Sequence, residues 1–150
     1  ENLIRFQKLF VPNNNYKNSI ACIWCGTNDI YHNFDMNIIK ENYNNYCKLL
    51  QNIGIRVIAM TILPRSNFAP EDFEENRQIF NQFIRDNYKY VADVGNNKVM
   101  GQRRQENNTR FYFISDNSHL TNMGHKVIAR TVEKTIYKLD LDKRKKRGRI

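Results

Sequence analysis

The sequence predicts an α/β domain with a parallel sheet and helices on both of its faces, and three observations carry that expectation. A short continuous apolar run, Ile20-Ala21-Cys22-Ile23-Trp24-Cys25, reads as a strand covered on both sides. A second run, Ile55 to Leu63, follows a helix-patterned segment directly after Gly54, and a third, Tyr90 to Val94, follows another such segment. Strands that alternate with helices imply β-α-β units with right-handed crossovers.

Each element has its own signal. The opening, Glu1 to Phe10, places Leu3, Phe6 and Phe10 on one side of an amphipathic helix and begins without Met, so the chain is expected to be part of something longer. The first strand is bounded by Asn18-Ser19 and by Gly26, and its carboxyl end delivers Gly26-Thr27-Asn28-Asp29. From Met36 to Ile53 the residues Ile39, Tyr43, Tyr46, Leu50 and Ile53 recur at helical spacing, with Asp35 as N-cap and Gly54 as the stop. The β-branched run Ile55 to Leu63 is closed by Pro64. Pro70, with Glu71 and Asp72 after it, starts a helix to about Asn87, striped by Phe73, Phe80, Phe83 and Ile84. Residues 96–111 are polar and without period, which predicts a loop, mobile enough to gate a nearby site. The last helix starts at Thr121 or Asn122 and runs to about Leu139, burying Val127, Ile128, Val132, Ile136 and Leu139.

At 150 residues the chain suits one domain with a sizeable core, and 41% hydrophobic and 12% aromatic content is globular. Its many Asn, Lys, Ile and Tyr residues reflect an AT-rich coding sequence more than a function. No apolar run reaches the roughly 18 residues of a membrane span, and the N-terminal residues hold no hydrophobic signal core, so a soluble domain is expected. Three cysteines without a secretory signal speak for a reducing compartment and against a disulfide framework. Cys22 and Cys25 form a C-x-x-C, but strand geometry turns positions three apart to opposite faces, so buried strand thiols are expected rather than zinc or redox chemistry. Of the net charge of +9, six positive charges lie beyond Asp142, which leaves a mildly basic body at +3. A nucleic-acid partner is expected only through that tail.

The chemistry concentrates in two places. Asp116 precedes His119 by one helical turn, so its carboxylate can hold one ring nitrogen while the other faces outward as a general base. Asn28, at a strand end, has two open readings: an amide donor to a developing oxyanion, or a turn residue that caps the segment after it. Asp29 is expected to be structural, accepting backbone donors of its loop, and Gly26 to permit close packing or an unusual backbone angle. His32 and His125 lack a carboxylate partner, and His125 is expected at the rim. Three scattered histidines without clustered Asp make a poor metal set. Ligands of open parallel sheets gather at the carboxyl ends of the strands, where the two motifs are expected to converge.

Gly26-Thr27-Asn28-Asp29 after an apolar strand resembles the third block, G-x-N-D, of the SGNH hydrolases, also called the GDSL esterase/lipase family. Asp116-Asn117-Ser118-His119, with Leu120 and Gly124, resembles the fifth block, D-x-x-H, and the elements between are similar in order. The resemblance covers nearly the whole chain. It implies a flavodoxin-like, three-layer α/β/α fold, with residues 1–142 as the C-terminal portion of a full domain; the charge run makes 143–150 a basic tail, expected to be disordered. The resemblance also implies a serine esterase or lipase-like hydrolase of carboxylic (acyl or acetyl) esters. His119 would be the general base, Asp116 its orienting partner and Asn28 the oxyanion donor, with Gly26 and Asp29 supporting the site and no metal or organic cofactor.

One departure matters. The family's Gly-Asp-Ser block and its second-block glycine should precede Glu1, and none of Ser19, Ser66, Ser115 and Ser118 follows a Gly-Asp. The nucleophile is therefore expected upstream, and the portion given is expected to be inactive alone. The implied substrate is a small-molecule ester or an acylated glycan or lipid, with pocket walls from loops 31–35, 64–70 and 96–111. The alternatives are a non-catalytic relative that binds a glycan or lipid, and a basic tail that anchors the domain to nucleic acid or another acidic surface.

Overall fold

The computed structural model describes Tyr16, residues 18–65 and residues 69–146. The expected helix at Glu1 to Phe10, Ser66 and residues 147–150 lie outside the described residues. The elements run β1 (Ile20–Ile23), α1 (Thr27–Tyr31), α2 (Met36–Asn52), β2 (Arg56–Met60), α3 (Phe73–Asn87), β3 (Val91–Ala92) and α4 (Asn122–Lys146). The strands form one parallel sheet in the order β1-β2-β3, with Ile20 paired to Arg56 and Ala59 to Val91. The expected α/β class with a parallel sheet is what the chain forms.

The pleat of β2 divides the core. Val57 and Ala59 pack with Ile23, Ile39, Tyr43, Leu50, Phe80 and Ile84 under α2 and α3, whereas Ile58 and Met60 pack with Ala92, Val94, Ile128 and Leu139 under α4. Helices thus cover both faces. The Tyr43 hydroxyl crosses the first layer to donate to the Ile23 carbonyl and to accept from the Met60 amide, so its burial leaves no polar atom orphaned.

Local signals set the helix ends. Asp35 Oδ1 accepts from the amides of Asn37 and Ile38, at 2.8 and 3.2 Å, as the N-cap of α2. Gly54 takes a φ of +87° just past its end, a conformation that costs a side-chain-bearing residue strain.

Several expectations need correction. The strands are shorter than their apolar runs, because pairing rather than composition ends a strand: Thr61, Ile62 and Leu63 continue β2 buried but outside it. Within the described residues β1 pairs only with β2, and it is not covered on both faces: Cys22 and Trp24 are exposed. A short helix, α1, stands where a turn was expected. The last helix continues beyond Leu139 to Lys146, taking in residues 143–146 of the expected tail. The segment 96–111 is not a loose loop. It buries Met100, Glu106 and Phe111, and the Tyr112 hydroxyl ties it down by donating to the Met100 carbonyl.

Candidate functional site

The segment between residues 111 and 121 is a narrow loop closed by an antiparallel bridge from Tyr112 to Leu120 and by the Phe113 amide, which donates to the His119 carbonyl at 3.0 Å. Asn117 makes the reversal at φ +49°, a conformation that Asn tolerates better than most residues. Thr121 ties the loop to α4: its hydroxyl donates to the Arg110 carbonyl and accepts from the Gly124 amide. Gly124 is required by contact, since a Cβ there would stand 2.3 Å from the Phe111 carbonyl oxygen.

Within this loop Asp116 and His119 meet as expected. Oδ2 of Asp116 lies 2.7 Å from Nδ1 of His119, and Oδ1 accepts from the backbone amides of Ser118 and His119, at 2.8 Å each. Those amides and the imidazole hold the Asp116 carboxyl down at about 2. An ionised carboxylate only accepts, so the Nδ1 facing it carries the proton and Nε2 keeps a lone pair for use as a base. The ring is 79% exposed.

Asn28 is delivered by a different device. Gly26 turns the chain at φ +107° against the Phe80 ring, where a Cβ would come within 2.6 Å, and α1 begins at once. Asn28 is thus a residue of α1 rather than a side-chain cap, and among the described residues no side chain caps that helix. Its Oδ1 accepts from Nη1 of Arg65 at 2.7 Å. Asp29 does not take the expected role: its backbone carbonyl accepts from the Phe34 amide, while its carboxylate receives no hydrogen bond among the described residues.

The two motifs converge. Asn28 and His119 line one cavity of about 220 Å³, together with Trp24, Cys25, Thr27, Ile62, Leu63, Pro64, Arg65 and Ser118. An adjoining hollow of about 560 Å³ adds Phe113, Asp116, Leu120 and His125, which gives His119 apolar neighbours on its open side. His125 stands at this rim, and His32 lines neither space. Of the loops expected as walls, residues 64 and 65 contribute, whereas 31–35 and 96–111 do not. Phe113 and Arg65 were not singled out by sequence, since only the folded chain brings them beside the motifs.

Among the described residues the cavity wall holds three other groups of nucleophile type, the Cys25 thiol and the Thr27 and Ser118 hydroxyls. Burial pushes the Cys25 thiol up to about 12, which keeps it a thiol at neutral pH, and the Ser118 hydroxyl donates to the Asp116 carbonyl. Cys22, on β1, is exposed, against the expectation of a buried thiol, while Cys25, beyond the end of β1, is half-buried and packs against the core. Among the described residues no group of three or more His, Cys, Asp or Glu side chains could hold a metal ion, and no helix is long and apolar enough to cross a membrane. Compared with known proteins, the chain matches no family model, no curated protein and no solved structure.

Proposed function

We propose that the complete protein is a serine-dependent hydrolase of carboxylic esters, of the SGNH type, with its nucleophile upstream of residue 1. One observation carries the reading: Asn28 and His119, distant in sequence, line the same cavity at the carboxyl side of β1 and β2. In this reading the parallel sheet belongs to a flavodoxin-like core, and the outer edge of β1 receives the strand that brings the serine. His119 Nε2 removes the serine proton as the hydroxyl attacks the ester carbonyl, and the charge-fixed Asp116 stabilises the imidazolium that forms. The Asn28 amide donates to the developing oxyanion, a contribution of about 3 to 4 kcal/mol. The imidazolium then protonates the leaving alcohol, and water releases the acyl group by the same route. Trp24, Phe113 and Leu120 offer an apolar wall for the acyl group of a small ester or of an acylated glycan or lipid. Replacing His119 by Ala in the complete protein is expected to abolish turnover of a short p-nitrophenyl ester; unchanged turnover overturns the assignment.

A non-catalytic domain that binds a glycan or lipid is the second reading. It is favoured by the Ser118 hydroxyl, the one serine among the described residues of the cavity wall, being engaged with the Asp116 carbonyl instead of the imidazole. The coding sequence upstream of Glu1 separates the two: a Gly-Asp-Ser turn after an apolar strand fits only the enzyme.

A further inference from the structure

We infer that Arg65 is a positioning residue for the Asn28 amide, an inference that rests on the hydrolase reading and adds to it the device that decides which end of that amide faces a ligand. A side-chain amide has a donor end and an acceptor end of nearly the same shape, and its terminal torsion is broad and roughly two-fold. Only one of its two orientations can serve an oxyanion.

Arg65 removes that ambiguity. A guanidinium has donors and no acceptor, so the atom 2.7 Å from Nη1 must be the amide oxygen, and Nδ2 is the end left over. Among the described residues nothing accepts from that Nδ2. The guanidinium is itself held from a second side, with Cζ 4.2 Å from the centroid of the Tyr31 ring. Asn28 and Tyr31 stand one turn apart on α1, so a single planar group spans the helix face that presents the amide. Its stem leaves the chain directly after the buried run Thr61 to Pro64. A cation on Oδ1 also draws charge toward the oxygen and strengthens the N–H donors at the other end.

The test uses the complete protein with R65A, R65K, N28A and the N28A/R65A pair, and a short uncharged p-nitrophenyl ester. R65A is expected to lower kcat about tenfold, a fraction of the full loss on removing an oxyanion donor, while KM stays within about twofold. R65K, which keeps a charged donor, should recover part of the loss, and R65A should cost nothing more once Asn28 is Ala. A rise in KM with kcat unchanged would make Arg65 a substrate ligand and overturn the inference, as would additive losses in the pair or no loss at all. A second readout does not depend on turnover: the side-chain NH2 resonances of Asn28, identified by their absence in N28D, should shift in R65A and largely return in R65K. If the wild-type protein hydrolyses no ester, the hydrolase reading fails while the resonances still decide for or against Arg65; resonances unmoved by R65A overturn its role.

Discussion

Asn81 holds both backbone hydrogen-bonding groups of Ile62: the Ile62 amide donates to Oδ1 at 2.7 Å, and Nδ2 donates to the Ile62 carbonyl at 2.9 Å. Where β2 leaves the ladder, a side chain from α3 replaces the missing strand. Arg77 adds a third contact, its Nη1 donating to the same carbonyl while Nε and Nη2 grip Glu74. Both side chains are fully buried. Asn81→Ala would leave the Ile62 amide without a partner in a dry interior, which costs about 2 to 4 kcal/mol. Urea denaturation should show the loss as a lower midpoint with an unchanged slope. Because Ile62 lines the cavity and leads into Arg65, a smaller ester-hydrolysis rate should accompany it.

Three glycines separate backbone strain from crowding. At Gly54 an added Cβ meets none of the described residues within 4 Å, so G54A should cost about 1 kcal/mol, from the positive φ alone. Gly26 combines φ +107° with the Phe80 ring, and Gly124 meets the Phe111 backbone without a positive φ. G26A is therefore expected to lose more stability than G54A, about 2 to 4 kcal/mol in total, and G124A to lose a similar amount by displacing the start of α4 from the Asp116 loop. Equal midpoints for G54A and G26A in urea would refute the crowding argument.

Asp116 should hold its loop together across the whole neutral range. Its folded-state value, about 2, lies below the ordinary 3.8, so the contribution is complete above 3.8 and is lost as the pH falls through about 2. The amide resonances of Ser118 and His119 should move together on acid titration, with a midpoint near 2, and D116N should remove that shared step. Any acid limb in activity near pH 6 would then belong to a group other than this carboxylate.

What could be read from sequence follows the range of the interactions. Asp116 and His119 are three residues apart, Asp35 caps amides two and three residues on, and Gly54 acts through its own φ; each is a local fact, and each was legible. The convergence of Asn28 with His119 was legible only because parallel sheets place loops at one edge. Asn81, Arg77 and Arg65 act across 15 to 37 residues, and nothing in a polar residue on a helix or after a proline declares that it will be buried or paired. The role given to Asp29 fails for a related reason: Asp in a turn is common as an acceptor, but here the chain coils into α1, and the amides of Ile30, His32 and Phe34 donate to the carbonyls of Gly26, Asn28 and Asp29. The segment 96–111 hides its burial from a sequence reading because its buried residues, Met100, Glu106 and Phe111, follow no secondary-structure period.

Glu106 gives the last expectation, with the opposite sign to Asp116. It is only 4% exposed, and among the described residues its Oε2 has no hydrogen-bond partner. Burial raises its pKa above 4.5, against the pull of the Arg104 and Glu106 amides and of Arg77. A carboxyl raised on folding contributes stability that is whole below 4.5 and is lost as the pH rises through its folded-state value, because the folded protein then has to hold an incompletely solvated charge. Glu106→Gln keeps the shape and removes that charge, putting an amide NH2 where the acid form has its O–H. Thermal unfolding of E106Q and wild type should therefore give similar Tm values at pH 4 and a higher Tm for the variant at pH 7. A gap that stays constant between those two pH values would mean that Glu106 titrates no differently in the folded and unfolded chains, and the burial argument would fall with it.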